Sequence, residues 1–145
     1  MSSNYIADDG YSEKFYVAPE PGIYGSMRGT FRPASKPARS KHTQRCEKLS
    51  DEEADKATAE EVAPRILTWS EVDKDGQPRP ITPETVLGIK PALFQILTGM
   101  VMGYVPTDLD PTWPKEEQDA YRAAIKELKD ARDARDVQEK ADTKN

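Results

Sequence analysis

Apolar and polar positions follow two different periods along this chain. From residue 13 to 33 they alternate: Phe15 and Val17 precede Pro19-Glu20-Pro21-Gly22. Ile23, Gly25, Met27, Gly29 and Phe31 then fall on one side, with Tyr24, Ser26, Arg28, Thr30 and Arg32 on the other. Period-two alternation on both sides of a proline–glycine turn predicts a β-hairpin. Pro33 ends its second strand because proline has no N–H to give to a ladder. A hairpin alone is marginal in water, so this one requires a surface to lie on.

After residue 48 the period becomes helical. Ser50 and Glu53 have the spacing of a capping box, with Asp51 and Glu52 where the helix dipole favours negative charge. Ala54, Ala57, Val62, Ile66, Leu67 and Trp69 extend the predicted helix to about residue 69, with a kink or split at Pro64. Val72 to Pro80 is a turn with Asp75-Gly76 at its tightest point. Thr82-Pro83-Glu84 starts a short helix, with proline in the first turn where its missing donor costs nothing. Pro91 then opens the strongest amphipathic segment, with Leu93, Ile96, Leu97, Met100 and Val101 at spacing i, i+3, i+4, i+7, i+8. Phe94, Met102 and Tyr104 widen that stripe, and Gly99 within it suggests close approach of another backbone, that of the tryptophan-bearing helix. A rigid acidic loop, 106–114, separates this segment from a last helix with a stripe of Ala120, Tyr121, Ala124, Ile125 and Leu128. Beyond Leu128 opposite charges repeat at i, i+4 without strong apolar a and d positions, which predicts a fraying solvated helix and no coiled coil.

The fold class expected is mainly α with a small N-terminal β-hairpin (α+β), a compact helical core flanked by flexible or extended arms. The expected organisation is a polar arm at 1–12, the hairpin at 13–33, a basic linker or solvated helix at 34–48, a helical core at 49–128 and a charged helical tail at 129–145.

Composition narrows the functional classes. In 145 residues, 36% hydrophobic and 32% charged with twelve prolines, there is material for one core and tails. Cys46 is the only cysteine, which excludes an intrachain disulfide, and with His42 as its lone partner it makes no closed zinc site. The first residues show neither a basic start nor an apolar run, so no secretory or transit peptide is expected. Val86 to Val105 is apolar but broken by Lys90, Pro91, Gln95 and three glycines, which favours a core helix over a membrane span. Asp73, Asp75 and Glu84 imitate a calcium loop, yet Pro78 stands where the required glycine would be. No phosphate loop, GxSxG elbow, HExxH or CxxC occurs, so we expect no enzyme, no cofactor and no metal.

The net charge of −5 conceals an asymmetry. Arg28, Arg32, Lys36, Arg39, Lys41, Arg45 and Lys48 meet a single acid, Glu47, whereas the chain from Leu49 onward carries an excess of aspartate and glutamate. Such an arm suits phosphates or an acidic protein surface, with Tyr24 and Phe31 near enough to stack bases.

Thr30-Phe31-Arg32-Pro33, then Ile66-Leu67-Thr68-Trp69, then the turn Asp73-Lys74-Asp75-Gly76-Gln77-Pro78-Arg79-Pro80-Ile81-Thr82, then Gly88-Ile89-Lys90-Pro91-Ala92-Leu93 form an ordered set of short motifs. Over about residues 23–111 this set resembles small bacteriophage tail assembly chaperones or tail accessory proteins, from which it departs in its basic segment Ala34 to Lys48. The resemblance implies a non-enzymatic helper in the host cytoplasm that binds tail tube, tape-measure or other virion subunits during assembly. The first alternative is a virion structural protein (connector, capsid cement or tail component) whose arms order on neighbouring subunits. The second is nucleic-acid contact through 28–48. Tyr24, Arg28, Phe31, Arg32 and Trp113 are the expected partner-binding residues, the aromatics as anchors. Phe31 and Trp113 also have the simpler reading of satellite-core residues.

Overall fold

The computed structural model describes residues 11–143, so most of the expected polar arm 1–12 lies outside the described residues. The chain forms two units that divide between Asp108 and Leu109. It is mixed α+β and mainly helical, with five α-helices and one three-stranded antiparallel sheet among the described residues.

In the first unit the hairpin forms from β1 (Glu13–Val17) and β2 (Met27–Phe31), with Val17 opposite Met27 and Glu13 opposite Phe31. Its connection is longer than the alternation implies. Ile23 and Gly25 are not strand residues, and Glu20 and Tyr24 bridge across a turn in which Gly22 takes φ 81°. Phe15, Val17, Met27 and Phe31 face the core. Tyr16, Arg28 and Thr30 take the other face, since side chains alternate along a strand.

The surface the hairpin needs is completed by an element that helical spacing misassigns. The helix begun at Ser50, α2 (Asp51–Val62), stops short of residue 69. Ala63–Arg65 is one 3-10 turn, and Ile66–Trp69 is β3, paired to β2 with Gly29 opposite Trp69 and Phe31 opposite Ile66. Pro64 removes a donor and crowds the preceding turn, so the α ladder ends there. The β-branched and aromatic residues that follow gain more by pairing with β2 than by extending a broken helix. Between Thr30 and Phe31 the register shifts, leaving Leu67 as the extra residue on β3.

Residues 34–48, expected as a linker or solvated helix, contain α1 (Lys36–Cys46), capped by the Ser35 hydroxyl, which accepts from the Ala38 N–H at 3.3 Å. α3 (Pro83–Leu87) begins at Thr82, which exchanges hydrogen bonds with Thr85 in a capping box. α4 (Pro91–Val101) buries Leu93, Phe94, Leu97, Met100 and Val101. It ends in a Schellman turn: Tyr104 N–H reaches Gly99 O at 2.7 Å, Gly103 N–H reaches Met100 O at 3.1 Å, and Gly103 takes φ 81°. The close neighbour of Gly99 is therefore Val105, just past that turn, with a methyl 3.2 Å from where a Cβ would stand. It is not the tryptophan-bearing segment.

The core is made by the inner face of the sheet, the end of α2, Val86 of α3 and the apolar stripe of α4. Burial of a side chain such as Leu97 or Phe94 contributes about 1.5–3 kcal/mol, so α4 supplies the largest single share.

The second unit begins within the expected core range 49–128. Asp110 accepts from the Thr112 N–H and hydroxyl, both at 2.8 Å, and Gln118 Nε2 donates to Trp113 O at 2.8 Å. These bonds lead into α5 (Lys115–Thr143), which is continuous across the expected boundary at 128 and buries none of its residues. Its stripe is five residues long in a helix otherwise charged on all sides, too narrow to form a core.

Candidate interaction surface

The two edges of the sheet are unlike. At β1, Tyr16 N–H donates to Thr107 Oγ1 at 2.7 Å, Asp108 N–H donates to Tyr16 O at 2.9 Å, and Ala18 N–H donates to Asp108 Oδ2 at 2.8 Å. The segment leaving α4 thus closes that edge. β3 is the opposite edge and, among the described residues, has β2 as its only strand neighbour. It is four residues long, and Leu67 and Thr68 on it are exposed. Trp69 is half-buried and pinned by its indole N–H, which donates to Arg79 O at 2.8 Å across the 71–79 turn. That turn is held by Asp73, whose Oδ1 accepts from Asp75 N–H at 2.8 Å and Gln77 N–H at 3.0 Å, with Gly76 at φ 78°. The carboxylate read as a calcium-loop start is spent on its own backbone.

A groove of about 610 Å³ opens between the hairpin connection, the 71–79 turn and α3, lined by Tyr24, Met27, Glu71, Arg79, Glu84 and Lys90. Its cations are engaged: Lys90 Nζ donates to Ile23 O, and Arg79 Nε lies 3.2 Å from Val72 O and 3.8 Å from Glu71 Oε1. Ile23 and Leu87, at 48% and 42% exposure, add apolar area at the surface.

The five expected partner-binding residues do not converge. Tyr24 lines the groove, half-buried. Arg28 is exposed on the outer sheet face, its guanidinium 5.2 Å from the ring centroid of its cross-strand partner Tyr16. Arg32 is exposed just past β2, and its N–H donates to Arg65 O at 2.8 Å. Phe31 is 3% exposed and packs edge-to-face on Phe15 at 6.0 Å, so it is a core residue and cannot anchor a partner or stack a base. Trp113 belongs to the second unit, half-buried, edge-to-face with Tyr121 at 5.9 Å. Two further large side chains, Leu67 and Tyr104, are exposed where the sequence predicted helical apolar positions. Leu67 follows the buried Ile66 beside the bulge in β3, and the turn after α4 carries Tyr104 to α1.

His42 and Cys46 lie one turn apart on α1 and touch. His42 is buried with Nε2 3.0 Å from Thr58 Oγ1, and that hydroxyl already donates to Ala54 O at 2.9 Å, so the ring Nε2–H is the donor. The Cys46 sulfur stands 3.6 Å from Nε2 and 3.9 Å from Nδ1 of the same ring. The hydrogen bond from His42 to Thr58 ties α1 to α2. Among the described residues no three His, Cys, Asp or Glu side chains gather as a metal site would need. No helix among them is long and apolar enough to cross a membrane. Tyr11 has its phenol pushed up to about 12 by burial, then by its 2.6 Å hydrogen bond to the Glu13 carboxylate and that group's charge.

No protein-family model, curated protein or solved structure matches the chain.

Proposed function

We propose that the chain is a non-enzymatic phage tail assembly chaperone that shields tail tube or tape-measure subunits until they polymerise. The observation that carries this reading is the asymmetric sheet: one edge closed by Thr107 and Asp108, the other presenting β3 with the bulged Leu67 exposed. An open edge is a template for a strand of another chain, and alternate side chains beside it supply selectivity. Ile23, Leu67, Val72 and Leu87 give apolar area of the kind such a partner covers, and the resemblance of the motif order to tail accessory proteins suggests the class of partner. Masking requires no chemical step.

The test has two parts. The chain should recover a tail tube or tape-measure protein from infected cells, with Leu67→Lys abolishing recovery because a charge on the edge blocks strand addition. Purified virions, measured by quantitative mass spectrometry, should lack the chain. Stoichiometric presence in virions would replace this reading with that of a structural component.

A further inference from the structure

We infer that α1 is a docking surface for the phosphate backbone of double-stranded DNA, separate from the open sheet edge. The charge at the start of this helix is placed against its own stability. It has no acid in its first turn, where Lys36 stands instead, and Arg39 follows one turn on. Cations near a helix N-terminus oppose the dipole. The helix holds because Ser35 caps it, the Ala34 N–H donates to Val101 O at 3.1 Å, and His42 anchors it to Thr58. A helix held by its surroundings with unfavourable charge left on it is a mark of function.

The exposed side chains identify the partner's chemistry. Lys36, Ser40, Lys41, Thr43, Gln44 and Arg45 are all exposed and polar. Only Pro37 among the exposed residues of α1 is apolar. A protein interface of useful affinity has an apolar centre with a polar rim, and this helix offers only rim. Lysine, arginine, serine, threonine, glutamine and tyrosine are the side chains that contact phosphate and sugar.

A trough of about 470 Å³ runs along one flank of α1, lined by Lys36, Arg39, Ser40, Thr43, Gln44 and Tyr104, with the one acid, Glu47, past the helix end. Tyr104 is 56% exposed and is brought there by the turn at Gly103. The Arg39 guanidinium lies 4.7 Å from its ring centroid, which fixes a planar fork suited to a phosphate at the wall of the trough. On the other flank Arg45 is bridged to Glu60 at 2.7 Å, so Lys36, Arg39 and Lys41 are the cations left for phosphates.

At a rise of 1.5 Å per residue, Lys36 to Arg45 spans about 14 Å, the length of roughly four phosphates on one strand of duplex. Duplex is favoured over single strands because Phe31 is buried and Arg39 takes one face of the Tyr104 ring, which leaves no series of aromatic faces on which successive bases could stack.

The experiment is fluorescence anisotropy of the full chain with a labelled 20-base-pair DNA duplex of mixed sequence. Binding should be measurable at 50 mM NaCl. With three phosphates neutralised, it should weaken by about 40-fold at 200 mM, from a slope of about −0.9 per phosphate. Lys36→Gln/Lys41→Gln changes two exposed residues that make no ion pair among the described residues, so it should keep the far-ultraviolet circular dichroism spectrum. It should also bring the slope about 2 units nearer zero. Lys126→Gln/Lys129→Gln on α5 should leave binding unchanged. The inference is overturned by no binding at 50 mM, or by equal losses from the two double variants. It is overturned too by tighter binding to a single strand of the same sequence, or by polyglutamate competing as well as unlabelled duplex, which would mark an acidic-protein site. Leu67→Lys should not alter DNA binding, so failure here and failure of the chaperone reading are separately visible.

Discussion

Gly29→Ala tests the packing logic of the sheet most directly. Gly29 lies in β2 opposite Phe15 on one side and Trp69 on the other, with backbone angles open to any residue. It is needed for space alone. A Cβ there would stand 2.0 Å from the Thr68 carbonyl oxygen and 2.8 Å from Phe15 Cε1. Phe15 is 1% exposed and cannot swing away, and the oxygen belongs to the backbone of the paired strand. Overpacking where side chains can give way costs about 1–3 kcal/mol. Here β3 must move by about 1 Å, which also weakens the hydrogen bonds between β2 and β3, each worth about 0.5–1.5 kcal/mol. The sum is about 3–5 kcal/mol, set against a gain of about 0.4–1 kcal/mol from the stiffer unfolded chain. For a unit near 100 residues this lowers the melting temperature by about 10–25 °C. Urea and thermal unfolding followed by Trp69 fluorescence in a Trp113→Phe background would measure it. Gly25→Ala is the matched control, since a Cβ there meets nothing within 4 Å. A Gly29→Ala protein as stable as the Gly25→Ala protein would refute the reasoning.

Leu97→Ala, at 0% exposure, should cost about 2–5 kcal/mol by its cavity. Leu128→Ala, at 60% exposure, should stay within about 0.5 kcal/mol, and a comparable loss would place a core in the second unit. Asp73→Ala frees two backbone N–H groups in the 71–79 turn and should destabilise by about 1 kcal/mol in urea titration. In alkaline titration followed by phenolate absorbance, Tyr11 should ionise near 12, and Glu13→Gln should bring it down toward the ordinary tyrosine value. Because its folded pKa is raised, the stability it contributes is whole below about pH 10, the unfolded value, and is lost as pH rises from there to about 12.

Helix starts were legible from sequence because they are local chemistry. Ser50 accepts from Glu53 N–H at 3.2 Å, and Thr82 with Pro83 opens α3, as their spacing implies. The stripe of α4 was legible for the same reason: a period of 3.6 places Leu93, Leu97, Met100 and Val101 on one side whatever lies opposite. The strand at Ile66 to Trp69 was not legible, because four residues with apolar members fit either period until a neighbour offers a ladder. Nor were the fate of the anchors and the extent of the core. Phe31 alternates like an exposed aromatic as well as a buried one, and the side of the hairpin that meets α4 decides between them.

The amino-acid sequence by itself determined the mainly helical α+β class, the hairpin, the caps, the amphipathic helix opened by Pro91 and the concentration of positive charge between Arg28 and Lys48. Only the tertiary structure decided that β3 completes the sheet, that one sheet edge is closed and the other open, that Phe31 is interior, and that Tyr104 meets Arg39 on α1. Caps and periodicities act over one or two turns of chain, whereas a sheet edge or a surface trough is made by residues tens of positions apart, and its energy exists only once they meet.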